Sequence, residues 1–173
     1  VSEEVRHDGL RIEPLHDRHD RAGFRCGEPA LDAYFATQAG QDMRKRVSTC
    51  FVLSNRDGAV IGFHTLVATG ILLTDLPADL AKRLPRYPSV PATLMGRLAV
   101  GEAWHGKGFG QLLLMDAMKR ALTSQIATWS FVVDAKNEAA RRFYQAHGFL
   151  DLGDAGRRLH LPMATVARLF DRA

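Results

Sequence analysis

Three glycines alternate in His105-Gly106-Lys107-Gly108-Phe109-Gly110, between a strand-like stretch and a helix-like one. Glycines leave backbone N–H groups unscreened by side chains. At a helix start those groups sit at the positive end of the helix dipole, which suits a phosphate. A second constellation runs from Asp134 to Phe149. Asn137 is suited to cap a helix there, because its side-chain oxygen can accept an orphan N–H. Tyr144 lies seven residues later, two turns on and near the same face. Basic residues gather in Arg44-Lys45-Arg46, in Lys82-Arg83 with Arg86 and Tyr87, and in the pairs Arg141-Arg142 and Arg157-Arg158. Such clusters can be the footprint of a phosphate backbone, although a solvated surface is the commoner role for any one of them.

The glycine spacing narrows the ligand. A dinucleotide-binding turn needs Gly-x-Gly-x-x-Gly early in a βαβ unit, with an acid about 20 residues on. Here the spacing is Gly-x-Gly-x-Gly and comes late in the chain. A P-loop needs Gly-Lys-Ser/Thr after four intervening residues, and the chain has no such run. A tight strand-to-helix turn without ligand is the plain structural alternative.

The elements that must position these residues follow from apolar periodicity. Leu10 to Leu15 reads as the first strand. Proline in a first turn opens a helix at Glu28-Pro29, with Leu31, Tyr34, Phe35 and Gln38 on one side, running to Arg44. Thr49 to Ser54 and Val60 to Ala68 form a hairpin about Arg56-Asp57-Gly58, where Asp-Gly suits positive φ. Pro77 to Arg83 is a short helix, and Pro85, Pro88 and Pro91 hold an extended loop. Ala92 to Val100 is a strand, Phe109 to Gln125 a helix and Ser130 to Asp134 a strand. Asn137 to His147 is a helix that stops at Gly148. Phe149 to Leu152 and Leu159 to Pro162 close the sheet, and Met163 to Phe170 forms a last helix. This order describes an α/β or α+β domain with a mostly antiparallel first half.

The 173 residues fit one domain spanning the chain, and 46% hydrophobic with 24% charged is an ordinary globular composition. No apolar run approaches the ~20 residues of a membrane span, and Val1 to Asp8 is too polar for a signal peptide. Cys26 and Cys50 have no metal-ligand spacing and suit a reduced, cytoplasmic setting. His16-Asp17-Arg18-His19-Asp20 lacks a third ligand at useful spacing, so no metal site is expected. The net charge of +4 and a pI near 9.4 leave an acidic polymer as a candidate partner.

Together these segments resemble the GNAT acetyltransferase superfamily. Asn137, Ala140, Phe143, Tyr144, Gly148 and Phe149 match its Asn-x-x-Ala-x-x-Phe-Tyr-x-x-x-Gly-Phe signature. The loop His105 to Gly110 matches its Arg/Gln-x-x-Gly-x-Gly/Ala pattern, with His105 departing from Arg/Gln. The resemblance implies a mixed central sheet flanked by helices, mostly antiparallel with a splayed parallel pair at the cofactor site. It implies acetyl-CoA as cofactor, with the pantetheine arm on Leu98-Ala99-Val100. The diphosphate would lie on His105, Gly106, Lys107, Gly108, Phe109 and Gly110, and further contacts would come from Asn137 and Phe143. Tyr144 would be the catalytic acid for the departing thiolate. A phenol with reference pKa ~10 against ~8.5 for a thiol is not far from balanced for that transfer.

A narrower likeness comes from Gly27 to Phe35, Leu84 to Pro88 and Leu94 to Val100. These segments are similar to the TacT/AtaT-type toxins of bacterial toxin–antitoxin pairs. That implies acetylation of the α-amino group of aminoacyl-tRNA, a block of translation, a ribbon-helix-helix antitoxin and a homodimer. Arg44, Lys45, Arg46, Arg83, Arg86, Tyr87 and Arg97 are the candidate tRNA contacts. No carboxylate lies in Thr93 to Val100, and Glu102 and Glu138 are weak candidates for a general base. An α-amino group of pKa ~8 has a far larger neutral fraction near pH 7 than a lysine of pKa ~10.4, so it needs a strong base less. Acetylation of a small amine or protein N-terminus, and a binding module without catalysis, are the alternatives.

Overall fold

The structure is a computed structural model, which describes residues 5–7 and 9–172. In chain order the strands are β1 (Val5–His7), β2 (Leu10–Pro14), β3 (Thr49–Ser54), β4 (Val60–Leu72), β5 (Ser89–Val100), β6 (Ser130–Asp134), β7 (Leu150–Asp151) and β8 (Arg158–Pro162). The helices are α1 (Pro29–Ala33), α2 (Ala39–Arg44), α3 (Ala78–Ala81), α4 (Phe109–Leu122), α5 (Glu138–Ala146) and α6 (Met163–Asp171). The sheet is mixed: β5 and β6 pair parallel, whereas β1–β2, β2–β3, β3–β4, β6–β8 and β7–β8 pair antiparallel. The chain divides into two compact units. One combines the described residues up to Val67 with Gly96–Ala117, and the other combines Ala68–Met95 with the chain from Met118 onward.

In the first unit β1, β2, β3 and β4 pair antiparallel in sequence order. Asn55 closes the β3–β4 hairpin by accepting the N–H groups of Asp57 and Ala59, and Gly58 takes φ +84. The β5 end lies against β4, where Gly101 N–H donates to Ile61 O. Phe35 stacks on Phe63 at 4.4 Å and Phe24 meets both edge-on. Each fully buried Phe side chain contributes about 1.5–3 kcal/mol. Cys26 and Cys50 pack as reduced thiols in this cluster.

The helix expected from Glu28 to Arg44 exists but changes pitch. A π-helical stretch, Tyr34–Gln38, separates α1 from α2, and Ala39 N–H donates to Tyr34 O five residues back. That extra residue turns Ala39 into the core and leaves Gln38 exposed, so the apolar face continues Leu31, Tyr34, Phe35, Ala39 instead of ending on Gln38.

In the second unit β6 pairs parallel to β5 from Ala92↔Ser130 to Met95↔Val133. On its other edge β6 is antiparallel to β8, which also pairs with β7. Ser130, Phe131, Val132 and Val133 are all buried, as in a strand covered on both faces.

Other boundaries also differ. The sequence reading starts at Leu10, but β1 precedes it, held by backbone pairing to β2. β4 runs on to Leu72 and β5 starts at Ser89, so Pro91 is a strand residue whose carbonyl accepts from Trp129 N–H. α3 is a single turn, and α4 ends at Leu122, where Thr123 Oγ1 turns back onto Lys119 O.

Candidate active site

In the first unit the glycine run is a turn between β5 and α4. Gly106 and Gly108 have φ +73 and +83, values that L side chains rarely adopt. A Cβ at either would meet nothing within 4 Å. These two glycines therefore serve backbone conformation, and the space above them is open. Leu112 N–H donates to Gly108 O, so α4 leaves the earlier N–H groups of its first turn for a ligand. The His105 ring donates from Nε2 to Val100 O at 2.7 Å and ties the loop to the end of β5. Lys107 rests its Nζ 5.3 Å over the Trp104 ring, beside Phe109. A cradle of free amides, open space and one lysine fits an anionic diphosphate.

Two features outside the motif seat this loop. Gly62 of β4 comes so close to β5 that a Cβ would lie 2.4 Å from Ala99 O and 2.9 Å from Leu113 Cδ1 of α4. His64 Nε2 meets Asp116 Oδ2 at 2.7 Å with both side chains buried, which links β4 to α4. A lone strand glycine often marks close approach, so Gly62 carried a weak signal in the sequence. The His64–Asp116 pair, 52 residues apart in the chain, carried none.

Also in the first unit, the Arg97 guanidinium lies 3.6 Å over the Tyr34 ring. The Tyr34 hydroxyl donates to Asp42 Oδ2 at 3.2 Å. Arg44, Lys45 and Arg46 are exposed at the end of α2. His19 accepts His16 N–H on Nδ1 and donates from Nε2 to Glu13, which also pairs with Arg18. These contacts account for both ring nitrogens of His19.

In the second unit Asn137 is the N-cap of α5, accepting Ala140 N–H at 2.8 Å. The cap sets the helix phase that turns Tyr144 inward. Tyr144 packs between Phe143 and Phe149 and is 6% exposed. Its hydroxyl makes no hydrogen bond with a described residue. Burial and, after it, the charge of Asp134 push its pKa up to about 12. Tyr144 is therefore neutral at any physiological pH. Phe143 is half-buried, and its carbonyl accepts from His147 Nδ1.

Arg83, Arg86 and Tyr87 are exposed in the proline-rich loop of this unit, with Tyr87 66% accessible. Two of the four basic clusters are weaker than their sequence suggests. Arg141 donates from Nη2 to both carboxylate oxygens of Asp151, and Arg158 is held bidentate by Asp134. Each pair thus offers one uncompensated arginine, Arg142 or Arg157, rather than two.

Among the described residues no group of three His, Cys, Asp or Glu could hold a metal ion, and no helix is long and apolar enough to cross a membrane.

A phosphate-suited glycine turn after a strand, in a mixed α/β fold with an inward tyrosine on an Asn-capped helix, is the arrangement of an acyl-CoA-dependent transferase. Residues 13–149 match the Acetyltransferase (GNAT) family, and the chain belongs to it. It is 31% identical over 169 residues to the probable toxin TacT of Sinorhizobium fredii (strain NBRC 101917 / NGR234), covering 91% of this chain and 93% of that protein. It is 35% identical over 132 residues to a tRNA-acetylating toxin of Mycobacterium tuberculosis (strain ATCC 25618 / H37Rv), covering 75% and 78%. Its fold is similar to that of AtaT solved with acetyl-methionyl-tRNAfMet, with TM-score 0.85 and 30% identity over 93% of this chain and 99% of that one.

Proposed function

We propose that this protein transfers an acetyl group from acetyl-CoA to the α-amino group of an aminoacyl-tRNA, and so acts as a toxin that blocks translation. The observation that carries this reading is similarity in sequence, over three quarters of the chain, to a tRNA-acetylating toxin, together with similarity in fold, over 93% of the chain, to AtaT solved with acetyl-methionyl-tRNAfMet.

Acetyl-CoA supplies an acetyl thioester. The amides of Gly106 to Gly110 and the Lys107 ammonium bind its diphosphate, supported by the two positive-φ glycines and the open space above them. The backbone of Leu98, Ala99 and Val100 takes the pantetheine amides, and Asn137 and Phe143 contribute further contacts. Tyr144 Oη holds the proton for the leaving sulfur. With its pKa near 12 and a thiol near ~8.5, complete transfer is uphill, so Tyr144 stabilises the thiolate first by a hydrogen bond.

The chain needs no strong base. An α-amino group of pKa ~8 is about one tenth neutral at pH 7 and about half neutral at pH 8, far more than a lysine of pKa ~10.4. The Glu102 carboxylate sits against Gly27, and Glu138 is exposed in the first turn of α5. Arg44, Lys45, Arg46, Arg83, Arg86, Tyr87 and Arg97 bind tRNA, by charge and by the exposed ring of Tyr87. The same reading carries a ribbon-helix-helix antitoxin as protein partner and a homodimer as the working form.

The deciding experiment incubates the protein with labelled acetyl-CoA and a panel of aminoacyl-tRNAs. Label is expected on the amino acid of at least one charged tRNA and on none of the deacylated ones. Label on a free amine or a protein terminus alone would refute the reading.

A further inference from the structure

We infer that Arg21 and Arg44, converging over Gly40, form a subsite in the first unit for backbone phosphates of tRNA. This deepens the tRNA reading and rests on it. Arg21 belongs to no basic run in the sequence. The fold carries it to α2, where its Nη1 lies 3.0 Å from the position a Gly40 Cβ would take. Arg44 Nη1 lies 3.4 Å from the same point, one helical turn from Gly40. Gly40 thus leaves the gap into which both guanidinium heads reach.

The two cations bound a cavity of about 360 Å³ together with His16, Asp17, Gly40 and Met43. Neither makes a hydrogen bond or ion pair with a described residue, and Asp17 does not neutralise them. Like charges held side by side repel each other unless an anion lies between them. Two planar guanidinium forks match the oxygens of a phosphodiester. Arg21 also shares its surroundings with Arg97. Both charges act on the buried Cys50 thiol, against the burial that pushes its pKa up to about 12.

The test compares the parent protein with R21A/R44A, R21K/R44K and G40E, reading affinity for deacylated tRNA from 50 to 200 mM salt. G40E places a carboxylate between the two guanidinium groups on a helix that accepts it, and it carries the test alone if the double alanine variant unfolds. Acetyl-CoA affinity and melting temperature are followed in parallel. We expect R21A/R44A and G40E to weaken tRNA binding by about tenfold or more. The slope of log K against log salt should become shallower by about 1.4–1.8, the loss of two phosphate contacts. Acetyl-CoA affinity should hold, and R21K/R44K should keep most of the slope. Parental affinity and slope in both R21A/R44A and G40E, while the parent acetylates aminoacyl-tRNA, would overturn the subsite and leave the function standing. A parent that acetylates no aminoacyl-tRNA would overturn both.

Discussion

His64 and Asp116 meet at 2.7 Å with neither side chain open to solvent, and their contact fastens α4 to β4 in the first unit. The helix that they fasten is the one that begins at the glycine turn. A shift of α4 therefore displaces the backbone amides proposed to bind the diphosphate. Asp116→Ala should lower stability by about 1–3 kcal/mol, because His64 Nε2 loses its buried hydrogen-bond partner. Urea unfolding checks this, and a loss under 1 kcal/mol would show that the pair is dispensable.

Gly62 and Gly108 are glycines for opposite reasons. A Cβ at Gly62 would overlap Ala99 O at 2.4 Å, whereas one at Gly108 meets nothing but sits at φ +83. Gly62→Ala is expected to destabilise by about 1–3 kcal/mol or more through overpacking. Gly108→Ala should cost about 1–2 kcal/mol of backbone strain and raise the KM for acetyl-CoA. Calorimetry with steady-state kinetics separates the two effects.

Tyr144→Phe should lower kcat by roughly 10²- to 10⁴-fold, the usual worth of a general acid. The ring stays packed between Phe143 and Phe149, so melting temperature and acetyl-CoA affinity should change little. Thiol release from acetyl-CoA is the assay. With the phenol's pKa near 12, the rate should show no loss from Tyr144 ionisation below about pH 10.

Stability should fall at both ends of the pH range. Burial lowers the pKa of His160 below its usual value. The unfolded chain then binds the proton more readily, so this contribution is lost as pH drops below about 6.5. Tyr144 behaves in the opposite sense. Its folded pKa near 12 exceeds the unfolded value of ~10, so its contribution is present below about pH 10 and lost as pH rises toward 12. Denaturation at pH 5, 7.5 and 10.5, with His160→Gln expected to flatten the acid arm, tests both signs.

Arg46 occupies φ +59 just beyond α2, where helices usually place glycine. Arg46 N–H donates to Met43 O and Val47 N–H to Asp42 O, the bonding of a Schellman cap. Arg46→Gly should raise stability by about 1 kcal/mol. It should also weaken tRNA binding if the charge is used. Thermal melts and tRNA titration give the two readouts.

Local rules made much of this chain legible. Short runs of apolar and β-branched residues found β3 and β6 with their bounds, because a strand covered on both faces is apolar along most of its length. Asn137 announced its cap, and Asp57-Gly58 announced its hairpin, because each acts within four residues of itself. The glycine turn was visible for the same reason. What local rules missed depends on residues far apart in the chain. Gln38 lost its expected place on the apolar face to Ala39, because packing onto Phe63 selected a π turn. Arg141 and Arg158 looked like free charge until Asp151 and Asp134 met them across the fold.

By itself, then, the sequence determined the kinds of chemistry on offer: an anion-binding turn, a capped helix carrying a phenol, and a surplus of arginine. These are properties of side chains and short backbone stretches. Only the tertiary structure decided which arginines remain uncompensated, that Arg21 joins Arg44 over Gly40, and that His64 and Asp116 hold α4 in place. Such pairings arise from chain closure over tens of residues, and no local period or spacing encodes them.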